Sequence, residues 1–138
     1  MDRRHFVRNA LAGAASTAAA VAIPGTAQAA ESMGMGLTNI VFTEEDPGHF
    51  AKVAKLHVPM VEVSGAMLKV TTPHPMSEAH YIVSHTVVLE GGKFLDRKTF
   101  NWKDKPVSEH KLPEGYKGKV MVTSTCNLHD WWLKEMEV

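Results

Sequence analysis

The feature that most constrains the fold is a series of short segments in which apolar and polar residues alternate. Residues 81–89 and 119–125 show the pattern most clearly, and both are rich in Val and Thr. Successive side chains of a strand point to opposite faces, so this alternation predicts β-strands that bury one face. Helical periodicity is almost absent, and about seven strands joined by turns predict an all-β, antiparallel β-sandwich.

The expected elements follow from the turn signals between these segments. Ser64-Gly65 and Glu90-Gly91-Gly92-Lys93 are turn sequences. Residues 49–56 suit one or two helical turns that stop before Pro59. Residues 106–118 are predicted to be a polar connection. Strands are expected at residues 39–42, 58–63, 67–71, 81–89, 94–102 and 119–125, the last of which ends at Cys126.

The N-terminus predicts an export signal. Arg3 and Arg4 precede the apolar Phe6, and an Ala-rich run without charge extends over residues 10–23. Ala27-Gln28-Ala29 is a small-x-small cleavage site. These features predict a twin-arginine (Tat) signal peptide at residues 1–29, a flexible segment at 30–38 and one domain at 39–138. They also predict a periplasmic protein with no stable membrane insertion after cleavage.

Composition narrows the classes of partner. The chain has 15 Lys and Arg against 15 Asp and Glu. Without residues 1–30, which hold three Arg and one Asp, 12 basic and 14 acidic residues are left. A neutral domain of this kind argues against nucleic acid as a partner. The composition does not decide whether copies of the chain associate into a homo-oligomer.

Histidine and cysteine form three short clusters. His57 precedes Val58-Pro59, His74 and His80 flank a proline-rich turn, and Cys126 precedes His129 by three residues. Cys126 is the only cysteine, so it cannot form an internal disulfide. Thiolate and imidazole are both ligands of transition metals. The clusters therefore predict a metal site of four nitrogens and one sulfur.

The residue types alone do not decide which metal binds. Structural zinc usually takes four ligands, one fewer than this set. Iron suits four histidines in a plane with an axial thiolate. A blue-copper site needs two His, one Cys and a weak axial group. The axial candidates for copper are Met60, Met67, Met76, Met121 and Met136.

The three motifs resemble the iron domain of the superoxide reductases, the neelaredoxin and desulfoferrodoxin family. They are His-Val-Pro from residue 57, His-Pro-Met-x-x-x-His-Tyr-Ile from residue 74 and Cys-Asn-Leu-His from residue 126, and the likeness extends to Trp131. The resemblance implies an immunoglobulin-like β-sandwich and reduction of superoxide to hydrogen peroxide with electrons from an unidentified donor. It implies one iron per chain, with Cys126 as axial ligand and four equatorial ligands: His57, His74, His80 and His129.

The chain departs from the family pattern beside the first ligand. Leu56 occupies the position of the family's active-site lysine, and Lys55 that of a glutamate able to cap the iron. Lys52 and Lys55 are candidates to replace the lysine. Asp130 stands where glycine is common. These departures leave a second function open, an iron-containing electron-transfer or small-ligand-binding module with little superoxide turnover.

Other residues near the motifs receive structural predictions. His49 is a candidate neighbour of the site, and Asn127 is expected to donate its backbone N–H to the cysteine sulfur. His85 is expected to be packed or on the surface rather than a ligand, and His110 to be solvated in a loop. Trp131 and Trp132 are expected to be core or rim aromatics that shield the thiolate.

Overall fold

The structure, a computed structural model, describes residues 37–138. The predicted signal peptide and residues 30–36 of the predicted flexible segment lie outside this range. Within it, no helix has the length and apolar character needed to cross a membrane.

The described residues form eight strands and little helix. A 3₁₀ helix at Gly48–Val53 leads directly into the short helix α1 at Ala54–His57, and Glu90–Gly92 forms a 3₁₀ turn. The strands are β1 Val41–Phe42, β2 Met60–Ser64, β3 Met67–Thr71, β4 Ile82–Leu89, β5 Lys93–Thr99, β6 Val107–Lys111, β7 Lys119–Cys126 and β8 Asp130–Glu137.

The strands form two sheets. One has the order β1-β8-β7-β4-β5, and the other has the order β2-β3-β6. All neighbours are antiparallel except β1 and β8, which run parallel, so the prediction of a wholly antiparallel sandwich is wrong for that pair. The all-β, two-sheet architecture is confirmed.

The aliphatic core lies between the sheets. Leu68 and Val70 of β3 meet Val87 of β4 and Val120 and Val122 of β7, all with no exposed surface. On β7 every second residue is buried, which is the alternation that predicted the strand. A second buried cluster of Ile82, Phe100 and Cys126 lies at the end of β7. The strand that builds the core therefore also carries the cysteine.

The sequence analysis did not predict two of the strands, β6 and β8. β6 lies within the predicted polar connection, because its inward residues Ser108 and His110 are polar and hide the usual alternation. β8 follows the hairpin after Cys126, so β7 is not the last strand. Only Trp132 of β8 is fully buried, which leaves little apolar periodicity to detect.

Candidate metal centre

His57 is placed by the end of α1. It is the last residue of the helix and is buried. Its Nδ1–H donates to the carbonyl of Val53 one turn earlier, at 2.8 Å. A carbonyl only accepts, so this bond fixes the tautomer and leaves the Nε2 lone pair for the site.

His80 is turned back towards His74 by a tight loop. Ser77 N–H donates to the His80 carbonyl at 2.9 Å, and the His80 N–H donates back to Ser77. The proline residues on both sides of His74 restrict the backbone before this loop. The two Nε2 atoms of His74 and His80 are 3.1 Å apart as a result.

The β7–β8 hairpin brings Cys126 and His129 together. Cys126 pairs with Asp130 across a loop of three residues, and Asp130 adopts a left-handed conformation with φ 59°. Glycine adopts this conformation most easily and Asp is among the residues that tolerate it, so the departure from the family's glycine preserves the turn. The turn places His129 Nδ1 3.6 Å from Cys126 Sγ.

The donor atoms of these three segments converge on one point. His57, His74, His80 and Cys126 each offer an atom within 4.8 Å of the others, a site of three histidines and one cysteine that can hold a metal. His129 Nδ1 lies 3.0 Å from both His57 Nε2 and His80 Nε2. All five residues predicted as ligands are thus brought together in space.

The spacing fits a bound metal ion. His80 Nε2 lies 3.0–3.2 Å from three donor atoms, those of His74, His129 and Cys126. One ring N–H can satisfy only one of them. Metal–nitrogen bonds of about 2.1 Å at right angles would put neighbouring nitrogens about 3.0 Å apart. A shared cation therefore explains distances that hydrogen bonding among these groups does not.

The pKa values suit metal binding. Burial lowers the pKa of His57, His74 and His80, and the neighbouring histidines contribute to the same shift. Together these causes lower the pKa of His74 to about 4. The rings are therefore neutral at pH 7, with lone pairs available. Burial raises the pKa of the Cys126 thiol. A metal that takes the thiolate must consequently displace its proton, which makes the affinity pH-dependent.

Aromatic residues hold the ligand rings in place. The indole of Trp132 stacks on His57 with ring centroids 5.5 Å apart, and its Nε1–H donates to the His129 carbonyl at 2.8 Å. Phe50 packs edge-on against His129. Trp132 is thus a core residue that supports two ligands, whereas Trp131 is half exposed at the rim.

The prediction for Asn127 is wrong. Its N–H donates to the carbonyl of Tyr81 at 3.2 Å, because β4 lies alongside the hairpin. The backbone N–H groups of Leu128 and His129 hydrogen-bond to the cysteine instead and partly offset the rise in its pKa. The side chain of Asn127 spans the neighbouring loop, bonding Tyr81 N–H and the Ala79 carbonyl.

The residues around the first motif lie outside the ligand cluster. His49 is exposed, and its Nδ1 lies 2.9 Å from the Asn39 amide oxygen. Its ring packs at a tilt against Phe50, which in turn packs against His129. Lys52, Lys55 and Leu56 are all exposed. The thioether of Met76 accepts the Ile82 N–H at 3.3 Å and packs beside Cys126.

The two remaining histidines are interior residues. His85 is fully buried, with Nε2 on Thr72 and Nδ1 on Ser108, both at 2.8 Å, so it is packed and not a ligand. His110 is 1 % exposed, and the prediction that it is solvated is wrong. It points inward from β6, a strand whose polar sequence concealed it.

Comparison with known proteins identifies the family. The sequence model of desulfoferrodoxin matches residues 49–135, more than half of the chain. A search of curated proteins found no match. The chain therefore belongs to the desulfoferrodoxin family, whose superoxide reductases bind one iron.

Solved structures of superoxide reductases share the fold. The neelaredoxin of Ignicoccus hospitalis is 25 % identical, with a TM-score of 0.60, over 71 % of this chain and 93 % of that one. The one-iron superoxide reductase of Giardia intestinalis is 25 % identical, with a TM-score of 0.54, over 61 % of this chain and 99 % of that one. The fold and the His/Cys site thus fit iron-based superoxide reduction.

Proposed function

We propose that this protein is an exported superoxide reductase that holds one iron with His57, His74, His80, His129 and Cys126. The observation that supports this most is the position of His80 Nε2, within 3.0–3.2 Å of three other donor atoms. Iron held by these residues would supply the electron that reduces superoxide to the level of hydrogen peroxide, and an external donor would return that electron to the site.

The protein residues tune and protect this centre. The Cys126 sulfur is buried and receives the backbone N–H groups of Leu128 and His129, which stabilise the thiolate. A thiolate such as that of Cys126 would push electron density onto a metal held there, and hydrogen bonds to the sulfur would moderate this effect. Met76 and Phe100 keep water away from the sulfur. The ligand rings are held neutral by burial, ready to bind through their lone pairs.

The substrate side is the side of the two less buried ligands. His80 and His129 are half-buried, whereas His57 and His74 are buried. A small anion therefore reaches the centre past His80 and His129. Leu56 is 44 % exposed beside the buried His57 and offers no charge to attract it. Lys52 and Lys55, exposed on the same helical segment, are the candidates for that task.

The experiment that tests this function is the rate of superoxide loss with iron-loaded protein. We expect hydrogen peroxide to form without oxygen evolution when a reductant is supplied. The zinc-loaded protein is the matched control, since zinc has no redox chemistry. Equal rates for the iron-loaded and zinc-loaded forms would overturn the proposal.

A second candidate is an electron-transfer or small-ligand-binding module at the same centre. The exposed Leu56 in place of lysine favours it, because steering of superoxide is then weaker. The same assay separates the two functions. A module would accept electrons or bind a ligand such as nitric oxide while consuming little superoxide.

We also propose export by the twin-arginine route, supported by Arg3, Arg4 and the apolar run that follows them. That route carries folded proteins, so the metal can be loaded before export. Replacing both arginines by lysine should leave the precursor in the cytoplasm. Replacing Arg8 by lysine is the matched control, and normal processing of the double variant would contradict the proposal.

A further inference from the structure

The five proposed ligands come from both sheets of the sandwich. His57 precedes β2 and His74 follows β3, so these two belong to the three-stranded sheet. His80 precedes β4, Cys126 ends β7 and His129 precedes β8, which are neighbouring strands of the five-stranded sheet. Metal–ligand distances tolerate deviations of only about 0.2 Å. The two sheets must therefore be held in a fixed relation at this end of the sandwich.

The two histidines from the three-stranded sheet are held in different ways. His57 donates from Nδ1 to the carbonyl of Val53, and Trp132 stacks on its ring. His74 is 6 % exposed, yet its Nδ1 is hydrogen-bonded to none of the described residues. The carbonyl of Pro75 offsets only part of the fall in the pKa of His74 that burial causes, and it lies outside hydrogen-bond geometry. The far nitrogen of His74 thus does not orient the ring, as it usually does in a metal-bound histidine.

The backbone determines the position of His74 instead. Its N–H donates to the carbonyl of Thr72 at 2.8 Å, across Pro73. The rings of Pro73 and Pro75 fix φ on both sides of the histidine and stiffen the segment. The ring of His74 therefore follows the backbone of residues 72–75, and a contact that holds Thr72 also holds His74.

Thr72 joins the two sheets. Its backbone N–H donates to the carbonyl of Pro106 at 3.0 Å, which continues the pairing of β3 with β6 in the three-stranded sheet. Its side-chain oxygen lies 2.8 Å from His85 Nε2 of β4 and 2.8 Å from Ser124 Oγ of β7, in the five-stranded sheet. A hydroxyl has one hydrogen and two lone pairs, so it can bond to both.

This connection is buried and lies beside the other ligands. Thr72 is 1 % exposed, and His85 and Ser124 have no exposed surface, so loss of the hydroxyl would leave buried polar partners unsatisfied. Ser124 precedes Cys126 by two residues on the buried face of β7. β4 begins two residues after His80. The two strands that Thr72 contacts are therefore those that lead to Cys126 and His80.

We propose that Thr72 is a positioning residue that aligns the two halves of the metal centre. Its hydroxyl is fixed to β4 and β7, and its carbonyl holds His74 opposite His80, where the two Nε2 atoms are 3.1 Å apart. This role rests on the proposed ligand set. It does not depend on the reaction, because any metal held by these residues requires the same alignment.

Zinc affinity of the full chain tests the alignment without any activity measurement. Thr72→Val removes the hydroxyl at similar volume and should weaken zinc binding about tenfold or more, as is typical when a group that supports a ligand is lost. Thr72→Ser keeps the hydroxyl and should restore most of the affinity. Thr71→Val is the matched control, because the cross-strand neighbours of Thr71, Met60 and Val107, are exposed. Equal losses in Thr71→Val and Thr72→Val, measured by competition with a chelator, would overturn the proposal.

A double-mutant cycle separates positioning of one ligand from general support of the fold. When His74 is already replaced by alanine, Thr72 has no ligand to position, and Thr72→Val should change zinc affinity less than about twofold. In the His57→Ala background, the full loss of about tenfold should persist, because His57 is held by Val53 and Trp132. Equal losses in both backgrounds would show that Thr72 acts only on the fold, and the proposal would be wrong.

Ring-nitrogen NMR of the zinc-loaded protein gives a readout that does not need the ligand variants. In Thr72→Val the signals of His74 should shift or broaden, while those of His57 stay unchanged. Ser124→Ala removes one of the two partners of the hydroxyl and should cause a smaller change at His74, which keeps the test available if Thr72→Val does not fold. Unchanged His74 signals, or equal changes at His57 and His74, would contradict the alignment.

The rate of superoxide loss separates this proposal from the proposed function. If the substitutions of Thr72 have the expected effects on zinc affinity and on the signals of His74 but the iron-loaded wild type consumes no superoxide, the proposed function fails and the alignment stands. If the wild type consumes superoxide while Thr72→Val leaves zinc affinity and the signals of His74 unchanged, the alignment fails and the proposed function stands.

Discussion

His57 of the metal centre and His110 of a second, largely buried cluster are buried to the same extent but have opposite kinds of neighbour. That second cluster, the interior chain, is the hydrogen-bonded series Asp96, His110, Ser108, His85, Thr72 and Ser124. His57 and His110 are both 1 % exposed. The Nε2 of His57 faces another histidine nitrogen at 3.0 Å, whereas both nitrogens of His110 face a hydroxyl or a carboxylate at 2.8 Å. The metal-centre rings thus direct nitrogen atoms at other histidine nitrogens or at the cysteine sulfur. Each ring nitrogen of His85 and His110 instead has a hydroxyl or carboxylate partner.

This difference separates a metal site from a structural network. Nitrogen lone pairs that converge on each other need a cation, because ring N–H groups cannot pair them all. Nitrogens paired with hydroxyls need none, and a cation there would break existing bonds. Counting histidines in the sequence does not make this distinction, whereas the partner of each nitrogen does.

The largest expected effect is loss of metal when a converging ligand is removed. His80→Ala deletes the nitrogen that lies next to three other donors, so the purified protein should fall from about one iron per chain to little or none. Cys126→Ser should abolish the visible sulfur-to-iron charge-transfer band of the ferric form. Metal analysis and absorption spectra measure both effects.

The interior chain supplies the control for this experiment. His110→Gln should keep about one iron per chain, because His110 contacts Ser108 and Asp96 and no ligand. Equal loss of iron in His80→Ala and His110→Gln would show that the two regions do not differ in their role in metal binding. Stoichiometric copper or zinc, with no iron after expression with iron available, would contradict the assignment of iron.

The next effect concerns the stability of the fold in acid. The pKa of His85 is lowered to about 4 in the fold from its usual 6.5, so the unfolded chain binds a proton first as the pH falls. Stability from this group is complete above about pH 6.5 and is lost progressively down to about pH 4. The loss amounts to about 3 kcal/mol, at 1.4 kcal/mol for each pH unit.

Urea unfolding of the zinc-loaded protein at several pH values measures this loss. His85→Gln keeps a donor and an acceptor but does not titrate, so its stability relative to wild type should improve as the pH falls from 6.5 to 4. Comparison of the two proteins at each pH cancels the contribution of the metal ligands. A difference independent of pH would show that His85 is not the group that responds to acid.

The sequence predicted the metal centre better than the interior chain, for a physical reason. The ligands lie in three short motifs, and residues next to each other in the chain, such as Cys126 and His129, are necessarily close. The alternation of β7 likewise followed from the sequence because its inward side chains are apolar. Local pattern was enough for both features.

The interior chain depends on sheet register, which the sequence does not display. His85 and Ser124 are cross-strand neighbours in the pairing of β4 with β7, although 39 positions separate them. His110 faces inward only because β6 pairs with β3, and β6 was read as a loop because polar residues occupy its inward positions. A polar interior face thus concealed both the strand and the buried position of His110.

The smallest expected effect concerns charge at the open side of the metal centre. The interior chain ends on a carboxylate, Asp96, whereas the centre has the uncharged Leu56 beside His57. Leu56→Lys should raise the rate constant for superoxide about tenfold, because a nearby positive charge steers a small anion. The rate should also fall more steeply with salt, since screening removes steering. Stopped-flow measurements at several ionic strengths test both.

Phe94→Lys is the matched control, because it adds the same charge at an exposed position of β5, the edge strand of the sheet. It should leave the rate constant and its salt slope nearly unchanged. If Lys52 or Lys55 already steers the anion, Leu56→Lys adds little and Lys52→Ala or Lys55→Ala slows the reaction instead. Lys52, in the 3₁₀ helix, and Lys55, in α1, are both exposed and lie within four residues of Leu56. If none of these substitutions alters the salt slope, then superoxide reaches the centre without electrostatic steering, and the lack of charge at Leu56 has no kinetic consequence.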